Sequence, residues 1–343
     1  MSLIKSLASK SWIIKAVEKR WYSAHKTLFA YILLPFSYFF LGIVKLRRNF
    51  YRRGWLKTYR APCPVIVVGN IGIGGVGKTP LVVALYFFLK DRGWTPGIVS
   101  RGYKGKYQGI AWVASDSDPH QVGDEAVLLA ARTGGPVVVA RDRVRAAQAL
   151  TQEVACNIIL SDDGLQHYAL ERDIEIAVID AARNLGNALC LPAGPLREPP
   201  SRLKEVDMVV INGGDESRCA FSLSAISLLN VANPNISKSV QTLHEKKVHA
   251  VAGIGSPERF FNYLKGLGAE VVEYSYPDHY QFQKSDFVLF NSEDTVIMTE
   301  KDAVKCRSFA RKNVWFLPVE ARLNVLFIKR FESCVQSLLK HKE

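Results

Sequence analysis

Acidic residues are almost missing from the first 60 positions of this 343-residue chain, where Glu18 stands alone against 13 Lys and Arg. That segment carries +12 of the total +13, and the remainder, with 32 bases against 31 acids, is nearly neutral. A nucleic-acid binder spreads its positive charge over a folded face, so this distribution argues against nucleic acid as a partner. The six cysteines form no C-x-x-C pair and have no His at ligand spacing, which excludes a zinc site and a disulfide framework and implies reduced thiols. There is no internal repeat and no low-complexity tract. With 48% apolar and 22% charged residues the chain is neither disordered nor fibrous and is long enough for one or two cores.

Charge is also missing between Lys26 and Lys45, where Thr27 to Val44 form an uncharged run of 18 residues. As a helix this run reaches about 27 Å against a hydrocarbon core of ~30 Å, so spanning is marginal. Pro35 would kink it, and Phe29, Tyr31, Phe36, Tyr38, Phe39 and Phe40 suit an interface as well as a bilayer interior. The run starts late, lacks a small-residue cleavage site and is followed by bases, which argues against a cleaved signal peptide. Upstream, Leu3, Leu7, Ile14, Val17 and Trp21 fall on one helical face, opposite Lys5, Lys15, Lys19 and Arg20. A membrane-surface anchor is the expectation, with the core helix of a soluble domain as the competing reading.

From Pro64 onward, short β-branched runs alternate with helical stretches. Strands are expected at Val65–Val68, Gly97–Ser100, Val137–Ala140, Asn157–Ser161, Ile174–Asp180 and Met208–Asn212, with helices near Thr79–Asp91, Asp124–Thr133 and Val144–Thr151. Unbroken apolar strands mean that both sheet faces are covered, hence a doubly wound α/β/α domain. The pattern weakens over 213–245 and resumes as a smaller α/β unit, with strands at Val248–Ala252, Val271–Tyr276, Thr295–Thr299 and Val314–Val319 and a helix from Pro257. The expected organisation is an anchor over 1–60, a doubly wound domain over 61–220, a linker over 221–247, a smaller domain over 248–320 and a last amphipathic helix over 321–343.

Gly72-x4-Gly77-Lys78-Thr79 follows a strand and opens a helix, the context a phosphate-binding loop requires. Gly72, Gly74, Gly75 and Gly77 let backbone N–H groups converge on phosphate oxygens, Lys78 neutralises the β- and γ-phosphates, and Thr79 offers a hydroxyl to Mg²⁺. Ile73, Val76 and Pro80 complete the loop. Ile73 also separates the chain from partitioning ATPases, whose variant loop carries a lysine there; a membrane-surface switch ATPase is nonetheless the alternative functional reading. Asp162 ends the strand Asn157–Ser161 as an acid for the metal, and Asp163 is expected to position a second water or join the metal shell.

Eight stretches in order, VGNIGIGGVGKTP (68–80), SRGYKG (100–105), VGDEAVLLA (122–130), ILSDDGLQH (159–167), LPAGPLREP (191–199), AGIGSPERFF (252–261), PDHYQF (277–282) and MTEKDAVKC (298–306), resemble the tetraacyldisaccharide 4'-kinases, the lipid A 4'-kinases of Gram-negative bacteria. The resemblance implies transfer of the ATP γ-phosphate to the 4'-hydroxyl of a tetraacyl disaccharide 1-phosphate at the cytoplasmic face of the inner membrane. It also implies two α/β/α domains with a membrane-associated N-terminal helix, and Asp124 as base with His279 as its partner. On the residues alone, Asp124 reads equally well as a helix N-cap and His279 as a surface-loop histidine. Glu198 resembles a further magnesium-shell acid, and Arg197 and Arg101 are candidates for substrate phosphate. Glu300, Lys301, Asp302 and Lys305 form a charged set with no evident role.

Overall fold

The computed structural model describes residues 16–23 and 27–340. The amphipathic face expected over Leu3 to Ile14 lies outside the described residues. The chain folds into two compact units, neither continuous in sequence: Met1–Lys78 with Ile158–Ser222 and Leu323–Glu343, and Thr79–Asn157 with Leu223–Arg322.

In the first unit five strands run parallel in the order Ala220–Ser224, Met208–Asn212, Ile174–Asp180, Val65–Gly69, Ile158–Asp162. Val65–Gly69 and Ile158–Asp162 are buried at every position, as their unbroken apolar runs require. The chain leaves Val65–Gly69 to build a neighbour on one side, then crosses to Ile174–Asp180 on the other. The carboxyl end of Val65–Gly69 is therefore a switch point, where open α/β sheets place their ligands. The register sets Val68 beside Asp162, so the phosphate loop and this acid emerge at the same edge.

The uncharged run is helical over Leu28–Arg52, passing through Pro35 without a break. Thr27 caps it, its Oγ1 accepting from the Ala30 N–H at 3.4 Å. One stripe docks on the first unit. Ala30 and Ser37 are buried, the Ser37 hydroxyl donates to the Cys190 carbonyl at 2.7 Å, and Arg48 pairs with Glu205. The opposite stripe, including Ile32, Phe36, Phe39, Ile43 and Leu46, is exposed. Ahead of it, the Trp21 indole N–H donates to the Pro192 carbonyl at 3.0 Å and the Tyr22 hydroxyl to the Ile73 carbonyl at 3.3 Å. The last helix, Val325–Lys340, buries Phe327, Phe331 and Val335, and Arg330 donates to the Asp207 carbonyl at 2.9 Å.

The second unit holds Pro96–Ser100 parallel to Val137–Val139, which pairs antiparallel with Ala111–Val113. It also holds a six-stranded sheet in the order Ser237–Ser239, Ser227–Asn230, Val314–Leu317, Val296–Thr299, Lys247–Ala252, Glu270–Ser275. Apolar clusters cover both faces of this sheet. Phe260, Phe261 and Leu264 belong to one, and Phe282, Phe287 and Phe290 to the other. The doubly wound α/β expectation holds. The weakly patterned stretch 213–245 nevertheless contains three short strands, one of which, Ser237–Ser239, is polar and exposed throughout and gives no apolar run to read. All six cysteines are free thiols.

Candidate active site

The first unit carries the phosphate loop. Gly77 has φ +86°, and a Cβ there would fall 2.7 Å from Asn212 Nδ2, so the loop closes only with glycine at this position. The Asn212 side chain ties the loop down by donating to the Val76 carbonyl at 3.1 Å. Lys78 opens the helix Lys78–Lys90, its ammonium 3.2 Å from Asp163 Oδ1 and 3.4 Å from Asn70 Oδ1, and Thr79 follows in the same first turn.

Asp162 is 1% exposed at the strand end. Asp163 stands in the left-handed region at φ +50°, and its carboxylate pairs with Arg197 at 3.4 Å as well as with Lys78. Gln166 links the next residues. It accepts from Arg197 at 3.3 Å and donates to Glu198 at 3.0 Å. Glu198 is itself 1% exposed, accepts from the Tyr168 hydroxyl and lies 3.9 Å from Arg202 Nε. Burial raises its carboxyl above the usual range and outweighs the Gln166 hydrogen bond and the Arg202 charge. Arg202, in turn, donates to both oxygens of Glu175 at 2.5 and 2.6 Å.

Asp163, Arg197 and Glu198 are thus brought into one network with Lys78, while Arg101 stands exposed after the strand Pro96–Ser100 in the second unit. A glycine loop held open at its turn, an ammonium at the helix start and a buried strand-end carboxylate fit a nucleotide triphosphate with Mg²⁺. Among the described residues no group of three or more His, Cys, Asp or Glu forms a self-sufficient metal cage.

The second unit builds a different centre. Gly123, at φ +92°, turns the chain into the helix Asp124–Thr133 and occupies the cap position, so Asp124 is the first helical residue and not the N-cap. A Cβ at Gly123 would lie 2.9 Å from the Tyr103 carbonyl. Asp124 is 4% exposed, and its Oδ2 lies 2.8 Å from His279 Nδ1. His279 is not a surface histidine either. It is 8% exposed, adopts φ +61°, and its backbone N–H donates to the Gly253 carbonyl at 3.0 Å.

The charged set around residue 300 closes over this pair. Lys301 Nζ lies 2.9 Å from Glu125 Oε1, 3.1 Å from His279 Nε2 and 3.6 Å from Asp278 Oδ1. Lys305 pairs with Asp302 at 2.7 Å and approaches Asp124 at 3.9 Å. Asp302 is fully buried and accepts from the Gly253 N–H and the Thr299 hydroxyl. Burial would raise the Asp124 carboxyl, but the His279 hydrogen bond and the charges of Lys301 and Lys305 prevail and hold it below its ordinary value. Next to this cluster, burial lifts Glu300 to about 7 despite Arg132 at 3.5 Å. A carboxylate, an imidazole and two ammonium groups in a buried site can orient a hydroxyl and accept its proton.

Residues 29–338 match the family model described as tetraacyldisaccharide-1-P 4'-kinase. The chain is 49% identical to the tetraacyldisaccharide 4'-kinase of Methylobacillus flagellatus over 90% of its own length and 92% of the relative's. It is 48% identical to that of Nitrosococcus oceani over 95% and 96%. Among solved structures it is similar to Aquifex aeolicus LpxK in complex with ATP, with a TM-score of 0.75 and 30% identity, covering 90% of this chain and 99% of that one.

Proposed function

The chain belongs to the tetraacyldisaccharide 4'-kinase family, and from that premise we propose how its own residues carry the reaction, in which ATP phosphorylates the 4'-hydroxyl of a tetraacyl disaccharide 1-phosphate in lipid A biosynthesis. The observation that carries this reading is the buried Asp124–His279 pair at 2.8 Å, flanked by Lys301 and Lys305, in a chain that also has a complete phosphate loop. In the transfer, a bond forms between the sugar oxygen and the γ-phosphorus. The bond to the β–γ bridging oxygen breaks, its electron pair leaves on ADP, and the hydroxyl proton goes to Asp124.

The amides of Gly72 to Gly77 and the Lys78 ammonium hold the phosphates and offset charge on the leaving group. Bound Mg²⁺ supplies further neutralisation of phosphate oxygens, with Thr79 and Asp162 as its protein donors. Asp163 and Arg197 keep Lys78 in place, and Arg197 and Arg101 are the side chains available for substrate phosphate. A carboxylate held below its usual pKa is a weak base, which suits a loose transition state in which the hydroxyl needs orientation more than early deprotonation. The test is incubation with γ-labelled ATP and the glycolipid. Label is expected in the lipid fraction, and ATP hydrolysis without lipid labelling would overturn the assignment.

The helix Leu28–Arg52 is the proposed attachment to the cytoplasmic face of the inner membrane. Its mean hydropathy of 1.8 would permit a crossing, but Ser37 and Arg48 fasten one stripe to Cys190 and Glu205. A helix docked along one side and apolar along the other is suited to lie in the interface, with Lys45, Arg47, Arg52 and Arg53 near anionic headgroups. Each exposed aromatic contributes about 1.5–3 kcal/mol on burial. Phe36→Asp with Phe39→Asp is therefore expected to move the protein from the membrane pellet to the supernatant and to raise KM for the lipid with KM for ATP unchanged. Unaltered sedimentation would contradict this placement.

A further inference from the structure

We propose that Lys301 is a positioning residue that holds His279 as the Nδ1–H tautomer and so aims its one N–H at the base Asp124. An ammonium has three donors and no acceptor. At 3.1 Å from Lys301 Nζ, His279 Nε2 must present its lone pair, because two N–H groups would otherwise oppose each other. The ring proton then resides on Nδ1, 2.8 and 3.0 Å from the two Asp124 oxygens. Lys301 also donates to Glu125 at 2.9 Å, and Asp278 Oδ1 at 3.6 Å adds an ion pair.

The other groups facing the pair agree with this assignment. Asp278 Oδ1 lies 3.7 Å from Nε2, too far to take a proton from it directly, and is shared with Lys301. Tyr103 meets the imidazole edge-on at a centroid distance of 5.3 Å, and Lys104 donates to the Asp278 carbonyl at 3.1 Å, which leaves that carboxylate to Lys301. Lys305 is held by Asp302 and approaches Asp124, not the ring. The negative charges of Glu125, Asp124 and Asp278 outweigh burial and keep Lys301 an ammonium, with its pKa raised.

The consequence is chemical. With Nε2 occupied, His279 cannot take the acceptor's proton onward as the imidazole of a hydrolase triad does. It donates to Asp124 throughout, leaving Asp124 the sole proton acceptor in the pair. This rests on the reading of Asp124 as the base, but the tautomer can be observed without any turnover.

The experiment is nitrogen-shift NMR of full-length protein labelled with ¹⁵N-histidine in detergent micelles, with the His279 signals identified by their loss in His279→Gln. Wild type is expected to show a protonated Nδ1 and a bare Nε2. Lys301→Met should lose that single tautomer and lower kcat by roughly tenfold to a hundredfold with KM for ATP unchanged. Lys301→Arg, which can still donate to Nε2, should restore the nitrogen pattern and most of kcat. A proton on Nε2 in wild type, or a Lys301→Met protein with the wild-type nitrogen pattern, overturns the proposal. The wild-type spectrum alone decides it if the Met variant does not fold. An active Asp124→Asn enzyme would instead overturn the reading of the base and leave the tautomer result standing.

Discussion

Asp124→Asn is expected to reduce kcat for lipid phosphorylation by about 10²–10⁴-fold, the usual contribution of a general base, while ATP binds as in wild type. Asparagine keeps the size of the side chain and can still meet His279 Nδ1, but it has no charge to accept a proton. The same carboxyl sets the acid side of the pH profile. It is held below its ordinary value because the His279 hydrogen bond and the Lys301 and Lys305 charges outweigh burial. Activity attributable to this group should therefore persist down to a pH below the usual carboxylate midpoint of about 3.9. The linked stability has the same sign. The ionised pair contributes fully above the unfolded-state value and is lost as pH falls through the lower folded-state value. An acid limb that lies in the neutral range and vanishes in Asp124→Asn would contradict this assignment.

Lys78→Ala should have an effect of comparable size through a different step. The ammonium is the one side-chain cation that opens the helix Lys78–Lys90 at the phosphate loop, and removing such a preorganised donor costs about 10²–10³-fold in rate. Unlike Asp124→Asn, it should weaken ATP binding as well, seen as a higher KM for ATP with KM for lipid preserved. The fold should tolerate the change. Asp163 is a third exposed, so its pair with Lys78 at 3.2 Å is screened by solvent and contributes only about 0.2–1 kcal/mol. Thermal unfolding within a few degrees of wild type, together with the kinetic loss, would separate the two roles; normal turnover would remove Lys78 from the mechanism.

The phosphate loop was legible in the sequence because its chemistry is local: glycines, lysine and threonine act within one turn between a strand and a helix. Asp162 was legible for a related reason, since a strand-end acid beside the loop strand follows from parallel register. The second centre was not legible in this way. Asp124 and His279 lie 155 positions apart, and only the family resemblance joined them before the fold did. Nothing in the spacing of residues 298–306 reveals that Lys301 reaches Glu125, 176 positions away, or that Asp302 is fully buried. On sequence grounds Asp124 suited a helix cap as well as a base; the cap reading fails because Gly123, at positive φ, takes that position itself. The motif around Glu198 does not show that the fold sets Gln166, Tyr168 and Arg202 about its carboxylate. Short strands were invisible for two reasons: Ala111–Val113 is apolar but only three residues long, and Glu320–Leu323 alternates exposed and partly exposed positions without an apolar run.

The most direct test of the whole account is the position of the transferred phosphate. Purified full-length protein, ATP and tetraacyl disaccharide 1-phosphate should yield a bisphosphorylated glycolipid. Fragmentation mass spectrometry should place the new group on the 4'-oxygen with the 1-phosphate retained, and Asp124→Asn should yield about 10²–10⁴-fold less of it in the same time. Phosphate on any other hydroxyl, or ADP release without a phosphorylated lipid, would contradict it.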